Sequence, residues 1–339
     1  VKKSEVDAVL QKYHQADRVQ WSYEGINLSA HLYEIIDGVV DKNIEEAITK
    51  VKAVNKYFQK HPLDLAIPVT DLWLENRIVM NYCRKHEIPV FFIANGLLNN
   101  PLMNEGRDSD HVNCHSMACK EDYFFDAPNV FALGDPRMDR YANENEKIIN
   151  REIPNIVIGA AGYDVTDLNS YLAFEFDFLY DILSSIESLK SKGYQADVVL
   201  KVRANGYAAL YESFVNEYFP KLNVNIIQDV PFIEVVRKAD LYISFYSQTI
   251  FEASCLGIPV IYYKKDTQTI FRPFDQQGNL VTATDKRSLI DKIKLFYTGD
   301  DVFEEFLKKE NLEKYVGPLD GQNLNRNLEF IKKILAKQG

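Results

Sequence analysis

Cysteine is scarce in this chain: four residues, Cys83, Cys114, Cys119 and Cys255, unevenly spaced among 339. So sparse a set builds no disulfide framework at this length, which favours a reducing compartment. No apolar run approaches the roughly 18 residues of a membrane-spanning helix, and the start shows no secretory-signal pattern. Opening at Val1 rather than Met is compatible with a piece cut from a longer protein. A basic block is lacking too. Lys and Arg number 39 against 49 Asp and Glu, a net charge of −10, which argues against a nucleic-acid backbone as the main partner. The mildly cationic face of residues 331–337 reads as solvated surface. There is no internal repeat and no low-complexity tract.

What is present suits packed cores. Hydrophobic residues make up 46% and aromatic residues 12%, enough for one large or two ordinary domains and too much for a disordered chain. Strand and helix signals alternate in two runs. The first holds helices at 44–61 and 72–86, strands at 63–69, 89–94, 111–117 and 129–133, and a short helix at 119–125, with Asp71 placed to cap the helix at 72. The polar stretch 141–151 reads as a connector. The second run begins with a strand at 155–158 and a long helix at 168–192, continues with strands at 197–202 and 224–228 and helices at 207–219 and 233–238, and ends with helices at 286–297, 301–310 and 322–336. Strand–helix alternation implies parallel sheets with right-handed crossovers, which take ligands at the carboxyl ends of their strands. The expectation is two α/β domains facing a cleft: residues 1–145, then 152–320, with 321–339 as a helix returning to the first.

Residues 239–263, ADLYISFYSQTIFEASCLGIPVIYY, carry the most chemistry. An apolar strand runs into a turn bearing Ser244, Ser247, Gln248 and Thr249, then a short helix with Glu252, then Gly257-Ile-Pro259 and a second apolar strand. Such a turn offers hydroxyls and free N–H groups at a helix end carrying about half a positive charge, a setting for phosphate. Glu252, one turn in, is placed to accept from sugar hydroxyls. A plain N-cap at Ser247 and a solvated acid at Glu252 fit the residues as well. The whole unit resembles the C-terminal-domain signature of two-domain nucleotide-sugar glycosyltransferases of the GT-B fold, particularly bacterial enzymes of surface-polysaccharide synthesis. That resemblance implies two Rossmann-like domains, with the turn on the donor's phosphates and Glu252 on its ribose.

Other residues extend the likeness. Gly134-Asp135-Pro136-Arg137-Met138-Asp139 is similar to a Gly-x-Pro-Arg-x-Asp box that ends the N-terminal domain in such transferases and in sugar 2-epimerases, which puts Arg137 at the cleft. The small residues of Gly159-Ala-Ala-Gly162 let backbone approach a ligand. Asn95-Gly96 stands where relatives often carry His-Gly, and Lys201-Val-Arg203-Ala-Asn205 where many carry Lys-x-His-Pro; Lys201 and Arg203 still supply charge for phosphate. Tyr23-Glu24-Gly25-Ile26 is similar to a segment of some surface-carbohydrate transferases, including relatives of enzymes that use CMP-linked Kdo. The candidate catalytic carboxylates are Glu24 in this segment and Asp71 at the end of a strand.

The cluster His111, Cys114, His115 and Cys119 is too compact for the usual two-pair zinc site and reads as core. Asp108-Ser-Asp110 sits in a loop and is not read as a metal motif. No metal and no cofactor are expected. The expected activity is transfer of a sugar from a nucleotide-sugar donor, with CMP-Kdo one donor among several, to a bacterial glycan or glycolipid. The expected place is the cytoplasm, at the inner face of the membrane if it associates peripherally. A sugar-nucleotide 2-epimerase, a CDP-glycerol-type phosphotransferase and a non-catalytic nucleotide- or carbohydrate-binding module are the alternatives.

Overall fold

The computed structural model describes residues 1–96, 104–142, 147–160, 172–204, 206–245, 247–265 and 279–337. The backbone forms two compact units, one of residues 1–93, 105–112 and 334–339, the other of 94–104 and 113–333. Among the described residues no helix is long and apolar enough to cross a membrane.

The larger unit is built on a six-stranded sheet. In space the strands run Val224–Ile227, Asp197–Lys201, Asn155–Gly159, Leu241–Ser244, Val260–Tyr263 and Thr282–Ala283. All five pairings are parallel. Counted along the chain from 155, the order is 3-2-1-4-5-6, a doubly wound sheet whose direction of progression reverses between Asn155–Gly159 and Leu241–Ser244. Successive side chains on a strand point to opposite faces, and both faces here are covered. Ile156, Ile158, Leu241, Ile243 and Ile261 pack with the helices Leu172–Lys190 and Lys286–Thr298. Val157, Tyr242, Val260 and Tyr262 pack on the other side with Phe251, Leu312 and Tyr315. This double burial is why these strands read as continuous apolar runs.

Helix Lys286–Thr298 shows how local signals set boundaries. Asp285 and Ser288 form a reciprocal capping box, and Gly299 ends the helix in the left-handed conformation at φ 71. A Cβ at Gly299 would meet Arg151 Nε at 3.5 Å, an ordinary contact. Gly299→Ala therefore isolates the backbone term, and urea denaturation is expected to show a loss of about 1–2 kcal/mol. A midpoint equal to that of the parent protein would refute this account of the cap.

The smaller unit contains helix Lys3–Gln15, a hairpin of Ser22–Tyr23 with Ile26–Asn27, helix Ser29–Lys60, helix Leu74–Lys85 and strand Phe91–Ile93 beside His111–Asn113. Its core includes Ala66, Met80, Cys83 and Val90. Several expectations are corrected here. The helix expected from 44 begins at Ser29, because the apolar spacing continues backwards through Val40 and Ile36, and Gly38 does not interrupt it. The strand expected at 63–69 is reduced to a single parallel bridge between Ala66 and Val90. The strand expected at 111–117 stops at Asn113: His115 takes φ 70, and Ser116 caps helix Met117–Asp122 by accepting from Cys119 N. Asp71 caps nothing, since its helix begins at Leu74 with Trp73 as N-cap.

Candidate functional site

The residues expected to meet a phosphate gather at the carboxyl ends of the reversed strand pair. Gly159 ends its strand against the fourth, where a Cβ would fall 1.9 Å from Tyr242 Oη. Ser244 Oγ, buried, donates to Gly159 O at 3.0 Å and so ties the two strand ends together. The Tyr242 hydroxyl lies 2.5 Å from Thr249 Oγ1, which lies 2.7 Å from Ser247 Oγ. These three hydroxyls form a chain leading to the helix Thr249–Cys255. Burial pushes the Tyr242 ionisation up, so its proton stays on oxygen.

Beside them opens a cavity of about 560 Å³ lined by Gly159, Lys201, Arg203, Phe232, Ser247 and Thr249, among others. Its size is that of a small-ligand site. Lys201, 7% exposed, donates from Nζ to Val202 O at 2.6 Å and Gln228 O at 2.7 Å. An ammonium has three donors, so one remains. Burial lowers the Lys201 pKa, as expected where a cation is desolvated beside neutral carbonyls. Gln228 fixes the neighbouring loop by donating to Ala204 O and Gly206 O and accepting from Ala208 N.

Glu252 does not line that cavity. Its Oε2 accepts from Tyr141 Oη at 2.6 Å and lies 3.8 Å from Arg140 Nη2, and its side chain is 16% exposed. The cleft candidates come together around Arg137. Asp135 grips that guanidinium at Nε and Nη2, and Arg137 Nη1 lies 3.4 Å from Asn95 Oδ1. The side chain of Gln248 reaches Gly96, where a Cβ would meet its Oε1 at 2.8 Å. Gly162 lies outside the described residues.

Glu24 and Asp71 belong to the smaller unit. Glu24 is exposed, at φ 49 in the hairpin turn with Gly25 at φ 80. Asp71 is fully buried. Its Oδ2 accepts from Gly106 N at 3.2 Å and sits 3.9 Å from Arg77 Nη2, while its Oδ1 accepts from nothing described. Glu105 is buried nearby, and burial together with the Asp71 charge raises its pKa.

Sequence reasoning missed Glu105, His115, Tyr141 and Tyr242. Glu105 lay in a polar loop, and His115 was read only as a member of the compact His/Cys cluster. Tyr141 is separated by 111 positions from the carboxylate it serves. Tyr242 carried a legible signal, as the aromatic in an apolar strand directly before a hydroxyl-rich turn.

No protein-family model matches the chain, and no curated protein matches it in sequence. Solved structures do. A UDP-GlcNAc 2-epimerase from Neisseria meningitidis bound to UDP-GlcNAc is similar with a TM-score of 0.61 at 15% identity, over 85% of this chain and 81% of that one. The UDP-GlcNAc 2-epimerase of Methanocaldococcus jannaschii in complex with UDP-GlcNAc and UDP gives 0.56 at 16%, over 84% and 81%. The wall teichoic acid polymerase TagF soaked with CDPG gives 0.51 at 13%, over 81% and 72%. At such identities the likeness establishes the fold: α/β, of the GT-B type, with Rossmann-like parallel sheets.

Proposed function

We propose that this protein is a nucleotide-sugar enzyme whose six-stranded unit holds the nucleotide, and that its reaction is inversion of a sugar carbon, as in a 2-epimerase, ahead of sugar transfer. The observation carrying the nucleotide reading is the cavity at the strand reversal. It sets Lys201 and the Ser247 and Thr249 hydroxyls around one space at the carboxyl ends of parallel strands, where open α/β sheets take ligands. Phosphate oxygens satisfy the remaining Lys201 donor, and Ser244 holds the strand ends that shape the space. Arg203, Gln248 and Glu252 complete the proposed nucleotide contacts, with Asn95, Gly96 and Arg137 beyond Glu252. Two fold neighbours are UDP-GlcNAc 2-epimerases, which favours epimerisation over transfer.

Epimerisation at C2 removes the C2 proton while its electron pair forms a C1–C2 double bond and expels the nucleoside diphosphate. The nucleoside diphosphate adds back to C1 as a proton returns to C2 from the opposite face, so the reaction needs positioned acid–base groups and no acceptor. Glu24 and Asp71 are the proposed carboxylates. Transfer to a bacterial surface glycan, at the inner face of the membrane and with CMP-Kdo as one donor, is the second reading. The hydroxyl-rich turn and the likeness to TagF keep it in view.

The test pairs binding with turnover. In a melting assay with UDP, GDP, CDP and CMP, UDP at 100 times its dissociation constant is expected to add about 2.7 kcal/mol of stability. UDP-GlcNAc incubated alone is then followed by proton NMR for its C2 epimer. Epimer without acceptor supports the proposal. Turnover only with a glycan acceptor moves the assignment to transfer, and binding of none of the four nucleotides removes both.

A further inference from the structure

We infer that Tyr141 is a positioning residue for the Glu252 carboxylate, an inference that rests on the nucleotide-binding reading above. The Tyr141 phenol donates to Oε2 at 2.6 Å, and Arg140 stands 3.8 Å from that same oxygen. Oε1 accepts from nothing among the described residues. One oxygen is thus held by the protein and the other is presented, so a ligand hydroxyl meets an acceptor whose direction is already fixed.

Tyr141 is suited to the task because its surroundings hold it in place. It is 4% exposed, packed in the same core as Met138 and Phe251. It ends the 3-10 helix Pro136–Tyr141, which is pinned at both ends. Asp135 Oδ1 accepts from Arg137 N at 2.8 Å. The two oxygens of Asp139 accept from the backbone N–H groups of Asn323 and Leu324, each at 2.9 Å, at the start of helix Asn323–Ala336. Burial and the neighbouring Glu252 charge push the Tyr141 ionisation up, so the phenol remains a donor throughout the physiological range. The Gly-Asp-Pro-Arg-Met-Asp box thereby acquires a use: it is the bracket that delivers this one hydroxyl. Without it the carboxylate would be free to swing towards Arg140, and binding would first have to fix a side chain that the native protein fixes beforehand.

Calorimetry with UDP, and with 2′,3′-dideoxy-UDP, which lacks both ribose hydroxyls, tests this. Tyr141→Phe keeps the ring and its packing and removes only the donor. It is expected to weaken UDP about tenfold, the scale of a hydrogen bond to a charged group, while leaving dideoxy-UDP affinity unchanged. On a Glu252→Ala background the same change should have no further effect. A merely structural tyrosine would lower the melting temperature and leave the preference for UDP over the dideoxy analogue intact, which would overturn the inference. UDP affinity that falls in Glu252→Ala but holds in Tyr141→Phe would overturn the positioning role alone. Unchanged affinity in Glu252→Ala would overturn the placement of the nucleotide as well.

Discussion

Glu252→Ala is expected to weaken nucleotide binding roughly 10- to 150-fold, about 1.5–3 kcal/mol, without unfolding the protein. The proposed ribose contact is charge-assisted and its acceptor is held in advance. Truncation removes that contact, while the Tyr141 hydroxyl loses only its own partner. Helix Thr249–Cys255 keeps its buried side in place through Ile250, Phe251, Ala253 and Ser254, so the fold has other supports. Calorimetry on the parent and the variant measures the difference directly. Equal affinities would show that the nucleotide does not use this carboxylate.

The second large effect is on stability, and it depends on pH. His115 is 2% exposed, and its Nε2 has no hydrogen-bond partner among the described residues. Burial lowers its pKa from 6.5 to about 4, opposed by the charge of Asp135, whose Oδ2 lies 3.8 Å from Nδ1. The unfolded chain thus takes up a proton near pH 6.5, while the folded one resists until about pH 4. The contribution is present in full above pH 6.5, is lost progressively as pH falls towards 4, and is constant below that. The difference in pKa corresponds to about 3 kcal/mol. Burial pushes the Asp135 pKa up, but the Arg137 pairing and the neighbouring His115 outweigh it and hold it low. Asp135 titrates in both proteins, so the comparison must be with a variant. His115→Asn suits, because asparagine tolerates the left-handed backbone at φ 70. Between pH 7 and pH 4 the parent is expected to lose about 3 kcal/mol more stability in urea than the variant does. Parallel curves would mean that His115 is as readily protonated folded as unfolded.

Much of the six-stranded unit was legible because its signals are local. Apolar runs at 197–202, 224–228, 241–244 and 260–263, each stopped by polar or turn residues, fall on observed strands to within a residue. The hydroxyl-rich turn after Leu241–Ser244 was legible for the same reason. The smaller unit was harder to read. Strands of two residues, Ser22–Tyr23 and Ile26–Asn27, are too short for an alternating pattern to accumulate, and a helix as long as Ser29–Lys60 had no side-chain cap at its N-cap to announce its start.

The sequence by itself determined the elements of the six-stranded unit, their parallel arrangement, and which residues carry hydroxyl, cation and carboxylate to the candidate site. Periodicity, turn chemistry and charge are properties of neighbours along the chain. Tertiary structure decided which of those groups meet. It set Glu252 against Tyr141, Asp139 on the first N–H groups of helix Asn323–Ala336, Asn113 on Asn327 at 2.8 Å, and Lys201 on the carbonyl of Gln228. Asn113 and Asn327 lie 214 positions apart. No local pattern encodes such a pairing. It arises because folding buries both polar groups at once, and a buried donor or acceptor left unpaired would cost about as much as the bond that satisfies it.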